Sequence, residues 1–343
     1  MNYSEMDRFR DALQGRPRDR VPILPMIAGW VATNFCKDPL FEMARNAKLI
    51  AEAQIRAKEA VGYDGFFAYA EPLYIPEAFG CKVRYTETGP LVDPLPLSMK
   101  DLGNPEILSF PDPKKDGRLP VILETVERLN GYRSGAVPVL GLFEGPFTTT
   151  CRIIEAEVIL RMILKQPDTL KALLSKVSGF LLEFGRALIE SGANVILMPE
   201  PTASSSMISP GSFRKLVLPE IRGLTKAMGV PCILHICGDT SLMLNSMAES
   251  GAGVLSLDQC MDLSESRIKA PNATLGGNVD PTNSLFLGGE EKVVEDTLRC
   301  LRDGGTSRFV LMSGCGVPPK TPIGNLRTMV KTAVEYGLGP SQE

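Results

Sequence analysis

Cys232-Ile233-Leu234-His235-Ile236-Cys237-Gly238-Asp239-Thr240 contains the only histidine of the 343-residue chain, with a cysteine two positions beyond it. The apolar run follows Pro231 and stops at Gly238, which predicts a short buried strand, a loop and then a helix over Thr240 to Ser250. Side chains two apart on a strand point the same way, so His235 and Cys237 share a face and are candidate ligands of one ion. A lone histidine among apolar neighbours is otherwise a satisfied core or cap residue.

The same strand, loop and helix unit recurs on both sides. Downstream, strands over Val254 to Leu257, Ala273 to Gly276 and Arg308 to Met312 alternate with helices over Leu263 to Lys269, Glu290 to Arg302 and Thr321 to Tyr336. Upstream, Val195 to Met198 precedes a helix over Ser209 to Met228, and Val137 to Phe143 precedes one running through Ile163 and another from Pro167 to Ser191. The chain opens with a helix over Ser4 to Leu13, capped by Ser4 and ended by Gly15-Arg16-Pro17. Val21 to Met26 follows as a strand in which Pro22 and Pro25 sit awkwardly. A helix from Pro39 to Val61 and a strand from Gly65 to Tyr69 come next. From Cys81 to about Gly135 the chain is rich in proline, glycine and charge, an inserted excursion with one helix near Pro120 to Asn130. About eight strands alternating with helices predict an α/β fold, a (β/α)8 TIM-type barrel built as a single domain over 1–343, with the excursion after the second strand. No glycine-rich dinucleotide fingerprint follows the first strand, which weakens the doubly wound alternative.

Composition narrows the function classes. A net charge of -3 and a pI near 5.6 give no bulk attraction to nucleic acid or anionic membrane. Apolar runs are too short to span a bilayer and the first twenty residues are polar, so a cytoplasmic protein is expected. The eight cysteines follow no small-scaffold pattern and are expected reduced. Those at strand ends are the candidates for chemistry.

Active sites of this barrel lie at the carboxyl ends of the strands. Glu71, Glu144, Glu200, His235 with Cys237, Asp258, Asn278 with Asp280, and Cys315 each follow a different predicted strand. Cys315, in Ser313-Gly314-Cys315-Gly316-Val317-Pro318-Pro319, is the candidate third ligand, since Gly314 and Gly316 would free its loop to reach inward; Cys260 is its rival. One imidazole and two thiolates suit tetrahedral zinc with the fourth position open, the catalytic arrangement. Two thiolates make a site better suited to binding a substrate sulfur or ether oxygen than to activating water, although the residues alone leave a hydrolase open.

Over nearly its whole length the chain resembles the uroporphyrinogen decarboxylase superfamily, in Gly15-Arg16-Pro17-Arg18-Asp19-Arg20-Val21-Pro22, Ser209-Pro210-Gly211-Ser212-Phe213-Arg214 and Gly276-Gly277-Asn278-Val279-Asp280-Pro281. Leu234-His235-Ile236-Cys237-Gly238 and Ser313 to Pro322 resemble its zinc-dependent corrinoid methyltransferase branch. The resemblance implies zinc on His235, Cys237 and Cys315, and a corrinoid (cobalamin) carried by a partner protein docked over the strand ends. It implies methyl transfer between that cobalt and a substrate heteroatom on zinc. Glu200 and Asp258 are then candidates for a fourth ligand or for orienting His235, with Trp30, Glu71, Phe147 and Asn278 as substrate contacts. Where decarboxylases carry carboxylate-binding arginines, Met26-Ile27-Ala28-Gly29-Trp30-Val31 is apolar, which disfavours porphyrinogen decarboxylation. The same absence favours a flat methoxylated aromatic stacked on Trp30 and Phe147, undergoing O-demethylation, over a sulfonated thiol such as coenzyme M. A homo-oligomer is compatible with all of this.

Overall fold

A computed structural model of the chain describes residues 3–86, 89–104, 107–133 and 135–337. Seven parallel strands form one curled sheet, in the order β1 (Phe66–Phe67), β4 (Val139–Leu142), β5 (Val195–Pro199), β6 (Cys232–Ile236), β7 (Val254–Leu257), β8 (Leu275–Val279) and β9 (Phe309–Ser313). The remaining pair, β2 (Lys82–Thr86) and β3 (Gly89–Asp93), is an antiparallel hairpin bonded strand to strand apart from that sheet. Every residue of β4, β6, β7, β8 and β9 is buried. Unbroken apolar burial is what a parallel sheet requires when helices cover one face and its own interior fills the other.

The eighth expected strand exists only as a strip of backbone. Leu24 N–H donates to the Leu311 carbonyl and Leu311 N–H to the Pro22 carbonyl, both at 2.9 Å, while Asp64 N–H reaches the Ile23 carbonyl at 2.8 Å. The segment therefore bridges β9 to the entry of β1 and closes the ring. It forms no regular ladder because Pro22 and Pro25 offer no N–H. The close approach also needs Gly65, where a Cβ would stand 2.6 Å from Leu24 Cδ2.

Asp64 supplies what the prolines withhold. Its Oδ2 accepts from Ile23 N–H at 2.8 Å and from Arg20 Nη1 at 2.6 Å, and its Oδ1 accepts from Arg20 Nη2 at 2.7 Å and Arg8 Nη1 at 3.0 Å. The carboxylate is 1% exposed, so the two guanidinium groups and the amide replace its hydration.

Several limits differ from those expected. The helix from Pro39 to Val61 is two, Leu40–Met43 and Ala47–Val61, the second restarted by Asn46 capping the Lys48 and Leu49 amides. A helix not anticipated, Ala28–Phe35, follows the closing segment. In the excursion, the helix is Leu119–Arg133 and the β2–β3 hairpin is additional. Its alternation of charged and apolar residues, Lys82-Val83-Arg84-Tyr85, was the available signal. Among the described residues no helix is long and apolar enough to cross a membrane.

Removing the carboxylate at the closure takes from Arg20, whose side chain is 14% exposed, its paired carboxylate and from the Ile23 amide its acceptor, while Arg8 keeps Asp19. Asp64→Ala is expected to cost about 3–5 kcal/mol, the penalty for breaking a buried ion pair. A urea titration followed by circular dichroism checks this.

Candidate active site

His235 is the penultimate residue of the buried β6, beside Pro199 of β5 and Ser256 of β7 in the parallel register. That register sets the imidazole next to a hydroxyl: His235 Nδ1 lies 3.1 Å from Ser256 Oγ. The bond leaves Nε2 facing the barrel axis, 3.3 Å from Cys237 Sγ. Cys237 follows β6, and Gly238 then turns the chain with φ 77°, a conformation that favours glycine. Cys315 follows β9, and its Sγ lies 3.7 Å from that of Cys237. The three ligand atoms lie within 4.8 Å of one another.

These separations fit zinc. Two Zn–S bonds of about 2.3 Å at a tetrahedral angle place the sulfurs about 3.8 Å apart, and a Zn–N bond of about 2.0 Å puts nitrogen about 3.5 Å from sulfur. The electrostatics agree with the donor set. The hydrogen bond from Cys237 lowers the Cys315 thiol well below the usual range against its own burial, and His235 lowers it further. Cys237 is raised correspondingly by the same bond, by burial and by the Cys315 charge. Two thiols this close cannot both ionise cheaply, which is why one is lowered as the other is raised.

Asp258 builds the loop that carries this site. Its Oδ2 accepts from Gly238 N–H at 2.8 Å and its Oδ1 from Cys260 N–H at 3.1 Å. Both oxygens are thus taken by backbone, and the group orienting His235 is Ser256, not Asp258 or Glu200. Glu200 is fully buried; its Oε1 accepts from Thr148 N–H at 2.9 Å and its Oε2 has no partner. Burial raises its pKa well above the carboxylate range, and Glu144 adds to this. Cys260 is exposed and stands outside the ligand group. Gly314 is needed for a reason other than loop freedom: a Cβ there would meet the Gln259 amide nitrogen at 2.5 Å.

A cavity of about 560 Å³ opens over the three ligands, and Met26, Ala28, Gly29, Leu142, Leu197 and Val317 make much of its wall apolar. Trp30 is not on that wall. Gly29 and Thr33, one turn apart on Ala28–Phe35, face the cavity, which turns Trp30 toward the core, where its indole N–H donates to the Thr321 carbonyl at 2.8 Å. Phe147 is fully buried behind the wall. Asn278 is spent on structure, donating to the carbonyls of Asp258 at 2.9 Å and Met261 at 2.7 Å.

Among the described residues, two carboxylates face the cavity, and both are neutralised. Glu71 Oε1 accepts from Arg118 and from Tyr85 Oη, and Oε2 from Leu73 N–H at 2.6 Å. Glu144 is raised by burial but held by Arg152 through bonds of 3.1 and 3.0 Å. Tyr69 and Lys320 are the other polar groups of interest on the wall, and neither was singled out from sequence. Burial, then Glu144 and Cys315, push the Tyr69 phenol well above its usual range, so it remains a proton donor. Lys320 stands exposed at the mouth and is the one cationic side chain among the described wall residues. The available signal was position: Tyr69 is the last residue of the predicted strand Gly65 to Tyr69, and Lys320 lies within the Ser313 to Pro322 stretch that carries Cys315.

The uroporphyrinogen decarboxylase family model matches residues 4–336. The chain belongs to the uroporphyrinogen decarboxylase family. Within the family it is 28% identical over 291 residues to a methylated-thiol–coenzyme M methyltransferase of Methanosarcina mazei, covering 84% of this chain and 77% of that protein. It is 26% identical over 337 residues to a methylcobamide:CoM methyltransferase of Methanosarcina barkeri, covering 96% and 97%. A uroporphyrinogen decarboxylase of Geobacter metallireducens is 28% identical over 342 residues, covering 95% and 97%. A solved methyltransferase structure from Methanosarcina mazei superposes with a TM-score of 0.89 at 26% identity, over 98% of this chain and 99% of that one. The chain thus falls with the corrinoid methyltransferase branch of its family.

Ser256→Ala is expected to leave the fold intact and to lower the affinity of the His235, Cys237 and Cys315 cluster for added zinc by about 10- to 100-fold, the usual cost of losing the group that orients a histidine ligand. Competition against a chromophoric chelator measures it.

Proposed function

We propose that this corrinoid-dependent methyltransferase moves a methyl group between the cobalt of a separate corrinoid protein and a small thiol whose sulfur meets His235, Cys237 and Cys315. The observation that carries the reading is the cluster itself, one imidazole and two cysteines at zinc's spacing beneath an apolar cavity. His235, Cys237 and Cys315 would hold the zinc, which when bound lowers the pKa of an entering thiol and makes it nucleophilic near neutral pH. The protein's own residues do the rest. The apolar wall excludes water from a sulfur anion, Tyr69 offers a hydrogen-bond donor beside it, and Lys320 attracts a substrate with an anionic tail. Glu71 and Glu144 would repel such a tail were they not paired with Arg118 and Arg152.

A sulfonated thiol is therefore favoured over the methoxylated aromatic expected from sequence. The reason for preferring the ether was the apolar stretch around Trp30 and the absence of a cation near it. Lys320 supplies that cation from a distant part of the chain, and the aromatic rings meant to stack on the arene lie behind the wall. The names of both methyltransferase relatives point to coenzyme M as well. A methoxyarene remains the second reading, favoured by the largely apolar cavity. Decarboxylation of a porphyrinogen is opposed by a wall whose only cation among the described residues is Lys320, since a many-fold carboxylate needs several.

Elemental analysis is expected to find about one zinc per chain, lost in His235→Ala and Cys315→Ala. With methylcobalamin as donor, transfer to thiols should fall to background in both variants. Transfer to methoxyarene-derived phenols without transfer to thiols would put the ether reading first. Lys320→Ala is expected to raise KM for a sulfonated thiol about five-fold, the worth of one exposed charge interaction, and leave a neutral thiol of similar size unaffected.

A further inference from the structure

The β2–β3 hairpin lies apart from the barrel sheet, yet Thr86, Gly89 and Pro90 of that hairpin line the cavity. Its strands are half-exposed and bond to each other, with the Arg84 and Asp93 side chains paired at 2.9 and 2.8 Å on the outer surface. Only Tyr85 and Val92 of its strands pack against the core, and a two-stranded hairpin is marginal by itself. Its base is tied down just beyond β3, where Leu95 N–H donates to the Ile153 carbonyl at 2.7 Å, but the part that lines the cavity needs a further dock.

Tyr85 provides the dock. Its ring packs edge-on against Phe41 at 5.4 Å and under the Arg45 guanidinium at 5.6 Å. Its hydroxyl donates to Glu71 Oε1 at 3.0 Å. Glu71 is in turn fixed by Arg118, which also bonds Glu77 and the Ala44 carbonyl, and Arg45 closes the circuit on Glu77 Oε1 at 2.7 Å. Arg118 and Glu71 side chains are 5% and 4% exposed, so this network is part of the rigid interior. A phenol bonded to a buried carboxylate makes a strong, directional anchor.

We propose that Tyr85 is a positioning residue: by docking on Glu71 it holds the hairpin as the outer wall of the substrate cavity and so limits the size of substrate admitted. The inference rests on the reading of this cavity as the substrate site. It also reassigns Glu71, whose oxygens are occupied and whose work is to seat the hairpin.

Tyr85→Phe keeps the ring contacts and removes the hydroxyl. Trypsin cleavage after Arg84, which requires the hairpin to leave its seat, is expected to accelerate about ten-fold or more, as the loss of one hydrogen bond to a charged group implies. KM for the small thiol is expected to rise with kcat changed far less, and a bulkier thiol to lose its disadvantage. Zinc content should stay at the wild-type value. Cleavage after Arg84 at the wild-type rate would overturn the proposal, as would accelerated cleavage with an unchanged preference between small and bulky substrates. A wild-type enzyme that methylates no thiol would instead overturn the thiol reading and leave the cleavage result standing. Should Tyr85→Phe fold poorly, Phe41→Ala, which removes the edge contact to the Tyr85 ring at a position that is 49% exposed, is expected to accelerate the same cleavage, and cleavage at the wild-type rate in that variant counts against the anchor.

Discussion

The barrel depends on how its first segment is held in the ring. Two prolines in Val21-Pro22-Ile23-Leu24-Pro25-Met26 leave too few amides for a normal ladder, and a gap between β9 and β1 would follow. Asp64 fills the deficit with one bond to the Ile23 amide while two arginines compensate its charge. Closure has consequences at the other end of the strands. Met26 N–H donates to Ser313 Oγ and Val317 N–H to the Met26 carbonyl, so the loop bearing Cys315 is braced against the segment that closes the ring. The third ligand is therefore positioned by the same strip of backbone that Asp64 secures.

The site then works by dividing labour among neighbours in the register. His235 is presented by β6 and oriented by β7 through Ser256, while Asp258, at the end of β7, ties the Gly238 and Cys260 amides into one loop. Two cysteines brought to 3.7 Å cannot both ionise cheaply, so one becomes thiolate at the other's expense. Such a pair is ready for a soft cation that relieves the repulsion.

Around that pair the cavity is arranged so that its protein charges cancel locally. Glu71 and Glu144 would make an acidic pocket, but Arg118 and Arg152 stand behind them. Among the described residues, what remains on the wall above the cysteines is a largely apolar surface with a phenol and one lysine. The family's fold is shared between decarboxylases and methyltransferases, so what a pocket admits is set by the few side chains on its wall and not by the barrel.

The sequence by itself determined the alternation of strands and helices, the barrel it implies, and the trio His235, Cys237 and Cys315 as a candidate ligand set. These were legible because they are local: apolar runs, turn residues, and ligand types placed at strand ends. Only the tertiary structure decided which neighbours serve the site. Trp30 is rotated away from the cavity by a helix whose Gly29 face is the one exposed to it, Asn278 is consumed by carbonyls of the next loop, and Ser256 reaches His235 because parallel register sets those two positions side by side. Lys320 and Glu71 exchanged their expected importance for the same reason. Whether a polar side chain is free or already partnered depends on residues far off in sequence, such as Arg118 and Tyr85 for Glu71, and that balance exists only once the chain has packed.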